Sequence, residues 1–298
     1  MEKFLKSCTL CPRACRTDRT SKKGFCTSSD KIKLSLVSTH MFEEPCISGK
    51  SGSGTIFFSG CNLKCVFCQN FQISQEDLGM EVSAHKLAEI FLKKEKEGVH
   101  NINLVSPSHF VPQIKESLIE AKSLGLSIPI VYNTNSYELP ETLKCLDGLV
   151  DIYLADLKYF DSELSLKYSS CPDYFSFASK AIEEMHRQVG NLTLDENGIA
   201  KKGLLIRHLV LPSCRKDSEK ILSYICETFG KSAYVSIMNQ YTPMYRAYEF
   251  KEISRKLTTF EYQKVLDFFL DLGMENGFMQ GKNTATSDYT PKFDLSGI

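Results

Sequence analysis

Six short runs of apolar and β-branched residues recur along the chain, separated by stretches of helical periodicity. No other feature limits the fold as much. The runs are 54–59 (GTIFFS), 101–105 (NINLV), 128–132 (IPIVY), 150–155 (VDIYLA), 203–210 (GLLIRHLV) and 233–238 (AYVSIM). Between them, Ala84, Leu87, Ala88 and Phe91 share one helical face, and Ile114, Leu118 and Ala121 share another. Ile221, Leu222, Ile225 and Phe229 form a third stripe, closed by Gly230. Ser83 suits an N-cap with Gly98 beyond the helix end, and Pro112 and Gly125 suit a helix start and stop. Thr258 and Glu261 have capping-box spacing ahead of Val265, Phe269 and Leu272. Repeated strand–helix alternation means a parallel α/β sheet covered by helices. A doubly wound sheet and a partial barrel both fit. The stretch 190–202 reads as a small hairpin inserted before the fifth run.

At 298 residues one substantial core is expected. Formal net charge is zero, which excludes a broad attraction to nucleic acid or to an anionic membrane. No apolar run approaches a bilayer span, and the N-terminus lacks an apolar signal segment, so a cytoplasmic location is expected. In that compartment clustered thiols bind metal or do chemistry more often than they form disulfides. Seven of the twelve cysteines fall into two groups: Cys8, Cys11, Cys15 and Cys26, then Cys61, Cys65 and Cys68. Cys145 and Cys226 read as buried core residues, and Cys46, Cys171 and Cys214 as packing residues. Residues 1–30 have too few apolar side chains to hold themselves together, so their four thiols are expected to staple them through a metal. The stretch 43–54 (EEPCISGKSGSG) reads as a loop. The chain divides into a Cys-rich extension (1–48), a main domain (49–281) and a tail (282–298).

The trio follows the first run directly, in GCNLKCVFCQN. Three thiolates can bind three irons of a cubane and leave the fourth without a protein ligand, the arrangement of a reactive site. The alternative is a zinc site completed by a remote histidine.

Cys61-x3-Cys65-x2-Cys68, with Phe67 before the last cysteine, resembles the signature of the radical S-adenosylmethionine (SAM) enzymes. The resemblance implies a partial (β/α)6 TIM-like barrel. It also implies a [4Fe–4S] cluster that passes one electron to the sulfonium of SAM and so releases a hydrogen-abstracting 5′-deoxyadenosyl radical. EEPCISG, SGSGTIFFSGCNLKCVFCQN, GLLIRHLVLP and the Leu10-Cys11-Pro12-Arg13 motif resemble the PflX-like branch related to pyruvate formate-lyase activating enzymes. That likeness implies cofactor contacts from Phe67, from the Asn133-Thr134-Asn135 turn, and from Asp156 and Lys158 in an ADLK segment. Arg207, inside an apolar strand, is expected to face the barrel and pair with an anion. Where many family members carry a Gly-Gly-Glu-like turn, this chain has Ser106-Pro107-Ser108-His109, so Ser106 and Ser108 stand as candidates to accept from the cofactor's ammonium. His109 either reaches the substrate pocket or caps a helix.

The N-terminal four-cysteine group takes either a second iron–sulfur cluster or zinc. The expected substrate is a protein or peptide, with a glycyl radical enzyme as the leading case and a flavodoxin or ferredoxin as electron donor. No nucleic-acid or membrane partner is expected. The rivals are a radical enzyme acting on a small molecule, a non-catalytic iron–sulfur electron carrier, and a zinc-stabilised interaction module.

Overall fold

The structure, a computed structural model, describes residues 2–280 and 290–298. Its strands are β1 (Ile32–His40), β2 (Ser53–Phe58), β3 (Met80–Val82), β4 (Ile102–Val105), β5 (Ile130–Thr134), β6 (Ile152–Asp156), β7 (Thr193–Leu194), β8 (Ala200–Leu209), β9 (Tyr234–Met238) and β10 (Gly277–Met279). They form one sheet in the order β10-β9-β8-β6-β5-β4-β2-β1-β3, with β7 paired to β8. From β2 to β10 every neighbouring pair on that path is parallel. The end strands β10 and β3 do not pair among the described residues, so the sheet is a partial barrel. All six expected runs are strands, and β7 with β8 makes the expected hairpin.

Strands β2, β4 and β5 are buried along their whole length, which is why they read as unbroken apolar runs rather than alternating ones. The outer face of the sheet as a whole is covered by helices Ala84–Lys96, Val111–Ser123, Tyr174–Val189, Arg215–Phe229 and Thr259–Asp271. Ser83 accepts from the Lys86 amide, and the Thr258–Glu261 capping box is complete.

Three departures from the sequence reading matter for the site. The 43–54 stretch is not a plain loop: Pro45–Ser48 is a short helix whose Cys46 and Ile47 pack inside the barrel with Val131, Ile152, Leu154 and Leu205. The helix plugs one end of the barrel, and the Ile47 carbonyl accepts from Asn101 Nδ2 at 2.8 Å. Next, β1 pairs antiparallel with β2 over most of its length, so residues 32–40 belong to the main sheet and not to a separate extension. The Cys-rich segment proper ends before residue 32. Finally, the tail returns to β1: Val37 N donates to Ser296 O (3.0 Å) and Leu295 N to Ser35 O (3.2 Å). Residues 281–289 of the expected main domain and tail lie outside the described residues.

Cys46, Cys171 and Cys214 are buried as expected, but Cys145 is exposed and Cys226 only partly buried. Cys145 lies on a short 3-10 turn that buries Leu146 and leaves the thiol exposed, which apolar neighbours in sequence could not reveal. Among the described residues no helix is long and apolar enough to cross a membrane.

Candidate active site

Side chains alternate faces along a strand, so the residues that continue the inner row of Val131, Leu154 and Leu205 are Asn133, Asp156 and Arg207. These three meet. Arg207 Nε donates to Asp156 Oδ1 (2.8 Å), Nη2 to Asn133 Oδ1 (2.7 Å) and Nη1 to Glu43 Oε2 (3.1 Å). Lys158 Nζ lies 2.7 Å from Asp156 Oδ2. Burial favours the neutral form of Asp156, but Arg207 and Lys158 outweigh it and hold the carboxyl below its ordinary range. Burial dominates at Glu43 and raises its carboxyl despite Arg207. Arg207 therefore does pair with anions, and they are the protein's own.

This ionic floor lies beneath a cavity of about 240 Å³ at the C-terminal ends of the strands, lined in part by Cys61, Cys65, Phe67, Cys68, Ser106 and Lys158. Asn133, Thr134, Asn135, Asp156 and Arg207 also border it, so every expected cofactor residue except Ser108 reaches the cavity. Ser108 is buried and turned inward, donating to Glu138 Oε1 at 2.8 Å. His109 neither reaches the cavity nor caps a helix. It is buried, its Nε2 2.7 Å from Ser59 O, and burial together with Arg19 lowers it to about 3.

The thiol loop leaves β2 through Gly60 at φ +90°, where an added Cβ would lie 2.3 Å from Ser28 Oγ and 2.4 Å from Cys26 O. Only glycine fits there. Each thiol has a neighbour that can donate to sulfur. Cys61 Sγ accepts from Leu63 N (3.4 Å) and Asn135 Nδ2 (3.4 Å), Cys65 Sγ accepts from Ser169 Oγ (3.0 Å), and Cys68 Sγ lies 3.3 Å from Ser74 Oγ. Burial raises all three thiols, Cys68 to about 12. The trio thus stays protonated on its own and becomes thiolate only when a metal takes the charge. Half-buried sulfurs, each with a nearby donor and open to a cavity, fit an iron–sulfur cluster with one vacant iron.

Three contributors escaped the sequence reading: Glu43, described above, Glu138 and Tyr174. Glu138 is fully buried and raised by burial, and accepts from Ser108, from Thr134 Oγ1 (2.5 Å) and from Tyr132 OH (3.1 Å). It fixes the turn carrying Asn133, Thr134 and Asn135. The Tyr174 hydroxyl lies 2.8 Å from Asn135 O and 2.9 Å from Asp156 O, and accepts from Lys158 N, tying the ends of β5 and β6 together. Glu43 had a signal, the paired acids of EEPCISG; Glu138 and Tyr174 had none.

An open parallel barrel with a three-thiol loop at its catalytic end defines a class: enzymes that pair a site-differentiated cluster with a cofactor held over the strand ends. Comparison makes it specific. Residues 55–194 match the Radical SAM superfamily. An uncharacterized protein of Methanocaldococcus jannaschii, MJ0674, is 34% identical over 278 residues, spanning 89% of this chain and 74% of the relative. The fold resembles Streptococcus suis SuiB bound to precursor peptide SuiA, at TM-score 0.52 and 17% identity over 76% of this chain and 48% of that one. SuiB bound to S-adenosylmethionine matches at TM-score 0.51 and 16% identity, over 76% of this chain and 50% of that one. This chain thus spans about half the length of the solved structures it resembles. The chain belongs to the radical SAM superfamily, whose members use a [4Fe–4S] cluster and SAM.

Proposed function

We propose that this radical SAM enzyme abstracts hydrogen from a polypeptide, with Cys61, Cys65 and Cys68 holding the cluster and a glycyl radical enzyme as the leading specific substrate. When bound, the cluster supplies one electron to the sulfonium of SAM and so gives the site its hydrogen-abstracting power. The chain's own groups bind and orient. Lys158 offers positive charge to the cofactor's carboxylate, Arg207 holds Asp156 and Asn133 in place beneath it, and Asp156 and the Asn133–Asn135 turn offer acceptors to its ammonium and ribose. Ser106 remains at the cavity edge as a further acceptor, while Ser108 acts through Glu138.

One observation carries the substrate reading. The cavity wall includes Thr290 and Pro291, and the segment that follows them hydrogen-bonds its backbone to β1, so the rim of the barrel already receives a stretch of polypeptide main chain. A partner's backbone entering there would help exclude water from radical chemistry. SuiB, similar in fold, was solved with its precursor peptide, which is in keeping with such an entry. The likeness of the EEPCISG and GLLIRHLVLP stretches to the activating-enzyme branch favours a glycyl radical partner, and a flavodoxin or ferredoxin is the electron donor of choice.

The test is anaerobic reconstitution with reductant and SAM, followed by an assay for 5′-deoxyadenosine. Fractionated host lysate is then added. Stimulation by the protein fraction is expected, and an electron-spin signal on that fraction marks the glycyl case. Stimulation by the small-molecule filtrate alone overturns the polypeptide reading. Unchanged cleavage in the Cys61→Ala/Cys65→Ala/Cys68→Ala variant overturns the ligand assignment.

A further inference from the structure

The N-terminal segment is a second thiol group folded directly against the first. Cys26 O accepts from Cys61 N at 3.2 Å, so one hydrogen bond joins a residue of each group. Arg13 reaches over the same loop, donating from Nε to Asn62 O (2.8 Å) and from Nη1 to Ser170 O (2.7 Å). Gly24 sits between two of the four thiols: a Cβ there would lie 3.5 Å from Cys15 Sγ and 3.6 Å from Cys26 Sγ. Among the described residues, no group of three or more His, Cys, Asp or Glu side chains closes tightly enough on a point to hold a single ion, and that is equally true of the 61–68 trio.

Two independent features call for more than thiols here. Arg19 is fully buried, and no carboxylate pairs with it among the described residues. Its guanidinium donates to the Ser29 and His109 carbonyls and lies 3.9 Å from Cys8 Sγ. A buried cation surrounded by neutral carbonyls is costly, and thiolates on a metal would supply the missing negative charge. The segment is also strained and nearly coreless. Ala14, Arg16 and Thr27, beside Cys15 and Cys26, all have positive φ (38°, 52° and 63°). The local core is Leu5, Cys8, Leu10 and Cys15. Strained backbone persists where its surroundings hold it, and a four-thiolate metal would supply that hold in a segment with so small a core.

We propose that Cys8, Cys11, Cys15 and Cys26 hold a second, four-thiolate metal centre, and that this centre clamps the loop carrying Cys61 through the Cys26 carbonyl and Arg13. The four groups bind as thiolates, releasing their protons to solvent, and a zinc ion or a preformed cluster is taken up without any redox step. Zinc and an iron–sulfur cluster share this thiolate chemistry, and acid-labile sulfide separates them. The proposal does not depend on the substrate reading.

The experiment uses the full chain with Cys61→Ala, Cys65→Ala and Cys68→Ala, purified without oxygen and checked for native circular dichroism. Iron, sulfide and zinc are measured. A residual centre of about four irons with sulfide, or about one zinc without it, is expected per chain. No stoichiometric metal overturns the site. If the triple variant does not fold, total metal on the reconstituted wild type decides: two centres support the site, and the content of one overturns it. For the clamp, amide exchange at residues 60–64 of the triple variant is compared with the second metal loaded and stripped. Slowing of about tenfold on loading is expected, and equal rates overturn the clamp.

Discussion

Two buried histidines turn solvent pH into a stability signal. His208 is closed off between the Leu157 carbonyl and the Ser218 hydroxyl, each 2.8 Å from a ring nitrogen, and burial lowers it to about 4. His109 is lowered to about 3. Above the ordinary histidine range both states are neutral and neither ring affects stability. As pH falls below about 6.5 the unfolded chain takes up protons that the folded chain refuses, so stability drops until the folded values are reached. At pH 5 the expected loss is about 2 kcal/mol per ring. Urea unfolding at pH 7 and pH 5 measures it, and His208→Gln should shrink the difference by that ring's share, about 2 kcal/mol. At the ionic floor, Arg207→Met leaves Asp156 and Glu43 facing each other with Lys158 as the remaining counter-charge on Asp156. The expected cost is about 3–5 kcal/mol. Adding Glu43→Gln should recover part of it, because the uncompensated carboxylate is then gone.

The element that most shapes the site from a distance is the helix Pro45–Ser48. It turns the chain back into the barrel so that Ile47 fills the inner apolar layer and Glu43 rises into the polar layer above it. Gly49 makes the exit turn at φ +46°, where a Cβ would lie 2.5 Å from Ile199 Cδ1. Ile47→Ala opens a cavity beneath the floor, with an expected loss of about 2–5 kcal/mol in urea unfolding. A weaker spectral response of the bound cluster to SAM should accompany it, since Glu43 and Arg207 lose their support. Full stability with an unchanged response would show that the plug carries no load.

At the scale of the whole molecule, the open barrel is completed from the C-terminal side. Phe293 packs its ring 5.4 Å from Phe57, beside Leu36 and Val105, and the turn around Leu295 hydrogen-bonds to the β1 edge. Removing residues 290–298 should expose one wall of the cavity. Alkylation of Cys61, Cys65 and Cys68 in the reduced, metal-free protein is expected to accelerate by about tenfold, with local opening the physical cause. Mass-spectrometric peptide mapping reads it. Unchanged rates would mean that the segment does not guard the site.

What the sequence determined by itself is whatever short-range physics repeats: the six runs, the caps at Ser83 and Thr258, and three thiols on the loop after a strand. Period-two alternation carries Asn133, Asp156 and Arg207 onto one inner row only once the structure shows Val131, Leu154 and Leu205 facing inward. Long-range closure was decided by the tertiary structure alone. Glu43 belongs to the floor because the antiparallel strand before it and the buried helix after it carry it there, and its partners Asn133 and Arg207 lie far away in sequence. Ser108 reads as a cofactor contact, but the buried Glu138 takes its hydroxyl, and Cys145 reads as buried, but its turn buries Leu146 instead. The Cys-rich segment seemed a separate extension, yet its Cys26 carbonyl holds the Cys61 amide. Local periodicity is written in each stretch of chain, whereas a contact between distant stretches exists only once the barrel has brought them together and excluded water between them.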